Sequence, residues 1–273
     1  KRQADADFDH ANATLTIKSD QTTSKAEYDA LDLLTTGTVA FSRISDNYSN
    51  LKAMGDNGLL NGKVVTATGQ LTVAQLDQLQ TYSATSIAYN ITDNTTNILN
   101  ATNSDLQGVS TAVTVDNTGT SETLSIANIA SINTKLGGSD PSYSTINDTA
   151  ATLGTDNTHA ARMASKTIVI TDNATAAQYR QALTNAGGAT VSGAIVETSS
   201  AALAAGATLS NATSVVLKVQ SSDKDFTSTS FQSEVTGFDL NGQTGVLFNI
   251  ADVDGKTITD SAGGGNYIIS DTY

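Results

Sequence analysis

From residue 23 to about residue 200 the hydrophobic pattern switches repeatedly between two periods. Ala26, Leu31 and Leu34, with Tyr28 beside them, fall on one helical face, the stripe that a surface helix buries. Val39, Phe41 and Ile44 then have the β-branched and aromatic content of a strand, as do Ile87, Tyr89 and Ile91. The stretch from Ser24 to Phe41 aligns without a gap on that from Thr72 to Tyr89, matching Ala26 to Ala74, Leu31 to Leu79, Val39 to Ile87 and Phe41 to Tyr89. Thr175 to Tyr179 repeats the start of the same helix. The predicted unit is helix, short turn, strand, Asp, next helix.

A short motif punctuates these units. Ile44, Asp46, Asn47 and Leu51 carry it first; Ile91, Asp93, Asn94 and Ile98 repeat it; Ile146, Asp148, Thr149 and Leu153 repeat it again. Ile170, Asp172 and Asn173 give a fourth copy, Glu197 stands in the Asp position of a fifth, and Ile269, Asp271 and Thr272 begin another. Two roles suit such carboxylates. As structural caps, Asp46, Asp93, Asp148 and Asp172 would accept hydrogen bonds from the free N–H groups that open the helix after each strand. As a row along one edge of stacked units, they would offer oxygen ligands to Ca²⁺.

The remaining elements are read the same way. A strand is expected over 63–68, another over 112–115, a helix over 124–136 stopped by Gly137 and Gly138, and a helix from Thr149 to about Ser165. A strand over 167–171, a helix over 174–185 and strands over 191–196 and 214–219 continue the series. After about residue 222 helical periodicity fades, and strands separated by Asn241-Gly242, Asp254-Gly255 and Gly263 to Gly265 are expected. Helix-linked consecutive strands pair in parallel, because the helix carries the chain back to its starting edge. The expected fold is therefore α/β: an elongated, repetitive, solenoid-like strand-helix array over 23–221, a lead-in over 1–22 and a β-rich segment over 222–273.

Composition narrows the chemistry. With 27 acidic and 14 basic residues the formal charge is −13, which disfavours nucleic acid and anionic membrane surfaces and favours cations. The absence of cysteine excludes disulfides, thiolate metal sites and thiol nucleophiles. No apolar run approaches the roughly 18 residues of a membrane-spanning helix. His10 and His159 are the only histidines and stand far apart, so a zinc or histidine acid/base site has little to build on. Asp5, Asp7 and Asp9 alternate like the start of a calcium loop, but His10 replaces its Gly and Thr16 its closing Glu. Asp252-Val-Asp254-Gly255 is the most metal-like cluster, with Asp260 close by in sequence: alternate carboxylates before a Gly turn can wrap Ca²⁺, but a hairpin turn at Asp254-Gly255 is the default reading, supported by Phe248-Asn-Ile250 and Thr257-Ile258 on either side. Asn-x-Ser/Thr sequons coincide with the repeat motif, so composition accounts for them. The chain opens on Lys1, as expected of a processed product or part of a longer chain.

The segments Ile91 to Ile98 and Ile146 to Leu153 resemble the Ile-x-Asp-Thr-Ala-x-Asn-Ile/Leu repeats of very long bacterial extracellular proteins, the adhesins and S-layer-type coats, with similar segments in phage virion proteins. The resemblance covers residues 23 to 200 in patches, with irregular spacing between copies. It implies a non-enzymatic structural or adhesive protein, exported to the cell surface, assembling with copies of itself and meeting surface polysaccharide, without inserting into the membrane. A virion fibre or capsid-decoration protein is the alternative. A polysaccharide-active enzyme on a repeat scaffold would need paired carboxylates and aromatic platforms that the sequence does not display.

Overall fold

The computed structural model describes residues 12–117, 123–198, 209, 212–222, 224–231 and 233–270. The Asp5–Asp9 run, His10, Asp271 and Thr272 lie outside them. The chain is mixed α/β and divides into two compact units, Lys1–Gly119 with Ile129–Tyr143, and Thr120–Asn128 with Ser144–Tyr273.

In the first unit, β1 (Leu15–Thr16), α1 (Lys25–Asp32), β2 (Val39–Ala40), β3 (Arg43–Asp46), α2 (Tyr48–Asp56), β4 (Val64–Leu71) and α3 (Val73–Gln80) are followed by β5 (Ser86–Asp93), α4 (Thr95–Asn100), α5 (Asn103–Gln107) and β6 (Val113–Val115). Helix α6 (Ile126–Lys135) comes next. The second unit holds β7 (Thr145–Asp148), α7 (Ala150–Leu153), α8 (Ala160–Met163), β8 (Thr167–Ala174), α9 (Ala176–Asn185), β9 (Val191–Thr198) and β10 (Ser214–Lys218). It continues through β11 (Val235–Asp239), β12 (Val246–Phe248), α10 (Ile250–Val253), β13 (Thr257–Thr259) and β14 (Tyr267–Ile269).

Every ladder among the described residues is parallel. Partners lie 20 to 24 residues apart, from Val215↔Val235 to Leu15↔Val39. The first unit carries a sheet in the order β3-β4-β5-β6, the second one in the order β13-β11-β10-β9-β8-β7, with β12-β14 beside it. The central strands send one stripe inward: Ile44, Ile91 and Ile146 are fully buried and Ile170 nearly so. The helices cover that stripe with Leu51, Leu76, Leu79, Ile98, Leu153 and Tyr179.

Local chemistry fixes the helix starts. Ser24 with Glu27, Thr72 with Gln75, and Thr175 with Gln178 form reciprocal capping boxes that open α1, α3 and α9. Asn47, Asn94 and Thr149 open α2, α4 and α7, each side chain accepting an N–H three residues on.

Three expectations need correction. The helix expected from Thr149 to Ser165 is two short ones, α7 and α8: α7 ends at its C-cap Gly154, where α9 passes so closely that a Cβ would lie 2.3 Å from the Gln178 carbonyl oxygen. The Asp254-Gly255 turn does not make a hairpin: it follows α10, and the strands around it pair in parallel, β11 with β13 and β12 with β14. The stripe Ala26, Tyr28, Leu31 and Leu34 does not bury α1, which has no buried residue.

Candidate functional site

The repeat carboxylates share one arrangement, and it differs from the expected one. Asp46 Oδ2 accepts the backbone N–H of Lys25 at 2.8 Å, 21 residues back, while its Oδ1 accepts Asn47 N–H and Asn50 Nδ2–H, each at 2.8 Å. Asp93 Oδ2 accepts Val73 N–H at 2.9 Å, and its Oδ1 accepts Asn94 N–H at 2.8 Å and Asn97 Nδ2–H at 2.9 Å. Asp148 accepts Ile126 N–H at 2.9 Å and Thr149 N–H at 2.8 Å. Asp172 accepts Ala150 N–H at 2.6 Å. Glu197 accepts Ala176 N–H at 3.1 Å and Thr198 N–H at 2.8 Å.

Lys25, Val73, Ile126, Ala150 and Ala176 are the first residues of α1, α3, α6, α7 and α9. Each carboxylate thus caps the helix one strand back along the chain, and not the helix that follows it. The reason lies in the free donors of a helix start: the N-cap side chain reaches the N–H two or three residues in, so the first N–H needs another acceptor. A carboxylate supplies it together with negative charge at the positive end of the helix dipole. In register with Asp46 and Asp93 on the next strands stand Ala67 and Val115.

Burial pushes the Asp46 carboxyl up, but hydrogen bonds from Asn50, Lys25 and Asn47 outweigh it and hold the group below the ordinary carboxylate range. The second unit has related sites. Asp239, buried, accepts Ser261 N–H at 2.8 Å, Ser261 Oγ–H at 2.6 Å and Asn241 N–H at 3.0 Å. Burial opposes its ionisation, yet the Ser261 and Asn241 donors leave it below the usual value. Asp260 accepts Gly265 N–H and Gly242 N–H, each at 2.6 Å, and these two donors lower it. Asp239 carries no signal in the sequence, whereas Asp260 is legible as an Asp close to Asp252 and Asp254 and ahead of a Gly-rich turn.

The other candidates are scattered. Asp252 lies in α10 and its Oδ2 accepts the Asn249 N–H at 3.2 Å; Asp254 forms the end of that helix. Among the described residues no group of three or more His, Asp or Glu side chains is placed to hold a metal ion, at this pair or at the repeat carboxylates. His159 precedes α8 without a side-chain capping bond. A polar groove of about 270 Å³ lies between α3 and α5, lined by Val73, Ala74, Asp77, Asn97, Asn100, Ala101, Thr102 and Asp105. Its lining carries no aromatic platform for a sugar ring, and Asp105 is engaged by Thr102 Oγ1–H and by Gln80 Nε2–H at 2.9 Å.

No known family, no curated protein and no solved structure matches the chain.

Proposed function

We propose that this chain is a non-enzymatic, extracellular structural and adhesive repeat protein that assembles with copies of itself at a bacterial surface, as a coat or filament. Its units are stacks of solenoid-like coils, each coil adding one parallel strand and its helix or second strand. The observation that carries this reading is the carboxylate series from Asp46 to Glu197, in which each side chain ties its own strand end to the helix one coil back. Acidic groups of this kind are committed to holding neighbouring coils together, which is how a protein builds length from nearest-neighbour contacts. The formal charge of −13 keeps such a surface from nucleic acid and anionic membranes, and no helix among the described residues is long and apolar enough to cross a membrane. Surface polysaccharide is the ligand class suited to an adhesive role.

Gold-labelled antibodies against the purified chain, applied to sections of the source cells, test the reading. Label over an outer surface layer supports it. Label over virus particles would transfer the same architecture to a virion fibre or decoration protein, and label confined to the cell interior would overturn the proposal.

A further inference from the structure

Three asparagines of the chain stand directly before a glycine: Asn57-Gly58, Asn61-Gly62 and Asn241-Gly242. Such a pair carries a latent reaction. Because glycine has no Cβ, its backbone nitrogen can approach the side-chain carbon of the preceding asparagine, one of the thermolabile residue types. The pairs are alike in sequence, so differences in their reactivity come from how the fold holds them.

Intramolecular attack needs the nitrogen and the carbon in close, aligned approach, and every hydrogen bond that must open first opposes it. Asn57 ends α2 with its Nδ2–H donating to Ala53 O at 2.8 Å, and Gly58 N–H donates to Gly55 O at 2.8 Å. Both reacting groups are thus tied to the helix end. Asn241 is held more firmly: its N–H donates to Asp239 Oδ1 at 3.0 Å, its Nδ2–H to Val219 O at 3.4 Å, and Gly242 N–H to Asp260 Oδ1 at 2.6 Å. This pair is half-buried, and its two bonds to carboxylates are of the charge-assisted, stronger kind.

Asn61 differs from both. It sits with Gly62 at the centre of the turn between α2 and β4, where Lys63 N–H donates to Leu60 O at 3.1 Å and Gly62 has φ +69°. Both residues are exposed, and among the described residues no hydrogen bond holds the Asn61 side chain. The Gly62 N–H has one neutral acceptor, Ser83 O at 3.0 Å.

We propose that Asn61 is a site of spontaneous covalent modification, deamidating in the folded protein while Asn57 and Asn241 are protected. The Gly62 nitrogen attacks the Asn61 side-chain carbon; the new C–N bond closes a succinimide ring, and the side-chain nitrogen leaves as ammonia, carrying away the proton lost by Gly62. Water then adds to either ring carbonyl and breaks one C–N bond, giving aspartate or isoaspartate. Either product adds a negative charge to a chain already at −13. Isoaspartate also routes the main chain through its side-chain carbon, which lengthens the turn between the buried Leu60 and β4.

The test is to warm the 273-residue chain at mildly alkaline pH, folded and in guanidinium chloride, and to follow amide-to-acid exchange by tandem mass spectrometry of proteolytic peptides against a zero-time control. The tryptic peptide from Ala53 to Lys63 contains both Asn57 and Asn61, so its fragments compare the two directly. Each folded-state rate is divided by the rate of the same residue in the unfolded chain. The expected order of these ratios is Asn61, then Asn57, then Asn241, with Asn61 ahead of Asn57 by roughly fivefold, the factor for one further hydrogen bond to open. Asn61→Gln should remove the signal at that position without raising it at Asn57. A ratio for Asn57 or Asn241 equal to that for Asn61 would overturn the proposal, as would a folded chain in which Asn61 stays intact while the unfolded chain reacts there.

Discussion

The side chain on which this architecture turns is a carboxylate with two oxygens doing different jobs: one holds the strand end it grows from, the other the first N–H of a helix about 21 residues earlier. Asp93 is the fullest case, buried and accepting three hydrogen bonds. Asp93→Ala should cost roughly 2–3 kcal/mol in urea unfolding, the range for donors that lose a charged acceptor. Asp172→Ala, which gives up the single bond to Ala150, should cost about 1 kcal/mol, the usual value of a lost cap. Equal costs would separate stability from the bond count. Asp46 and Asp239 titrate below the ordinary range in the folded chain, so the unfolded chain binds more protons as the solution is acidified. Their contribution is present above the unfolded carboxylate pKa of about 3.9 and is lost as pH falls through the lower folded values. The melting temperature should accordingly drop below about pH 4, and Asp239→Asn should flatten that acid limb. The sequence marked Asp46, Asp93, Asp148 and Asp172 as a set, and even flagged Glu197, because their spacing from an apolar strand repeats. It assigned them to the wrong helix, since a local cap motif is readable in sequence and a contact with a helix about 21 residues back depends on how strands and helices pack.

Elements were legible wherever a periodic stripe had local punctuation. The alignment of α1 on α3 marked both helices, and Val39, Phe41 and Ile44 marked a strand run. What sequence reasoning missed, the Ser24-Glu27, Thr72-Gln75 and Thr175-Gln178 boxes, was open to it as Ser/Thr-x-x-Glu/Gln ahead of an apolar run. The failure at 149–165 has a different origin. Nothing in the periodicity shows that α9 passes Gly154 so closely that a methyl group would meet the Gln178 carbonyl. Gly154→Ala should for that reason destabilise the second unit by roughly 1–3 kcal/mol, the cost of overfilling a packed contact, although alanine is the better helix former. A neutral or stabilising result in thermal denaturation would mean that α7 and α9 can part. The hairpin expected at Asp254-Gly255 failed because a turn dipeptide fixes only local angles. Partner choice in β11 to β14 skips one strand, β11 with β13 and β12 with β14, a long-range choice no turn dipeptide encodes.

At the scale of the molecule, both units repeat one relation, a parallel strand laid on a strand 20 to 24 residues away, and among the described residues both leave apolar side chains exposed, Leu33 and Leu34 in one and Tyr267, Ile268 and Ile269 in the other. The exposure of β14 and of α1 was invisible in the sequence, where Leu31, Leu34 and Ile269 look like any other buried stripe. Burial depends on having a neighbour, and composition does not record one. The central claim is that this chain exists to assemble. Electron microscopy of the purified protein, concentrated at raised salt, tests it most directly. The account predicts ordered filaments or sheets with a regular repeat along their length; separate, unassociated particles at every concentration would contradict it.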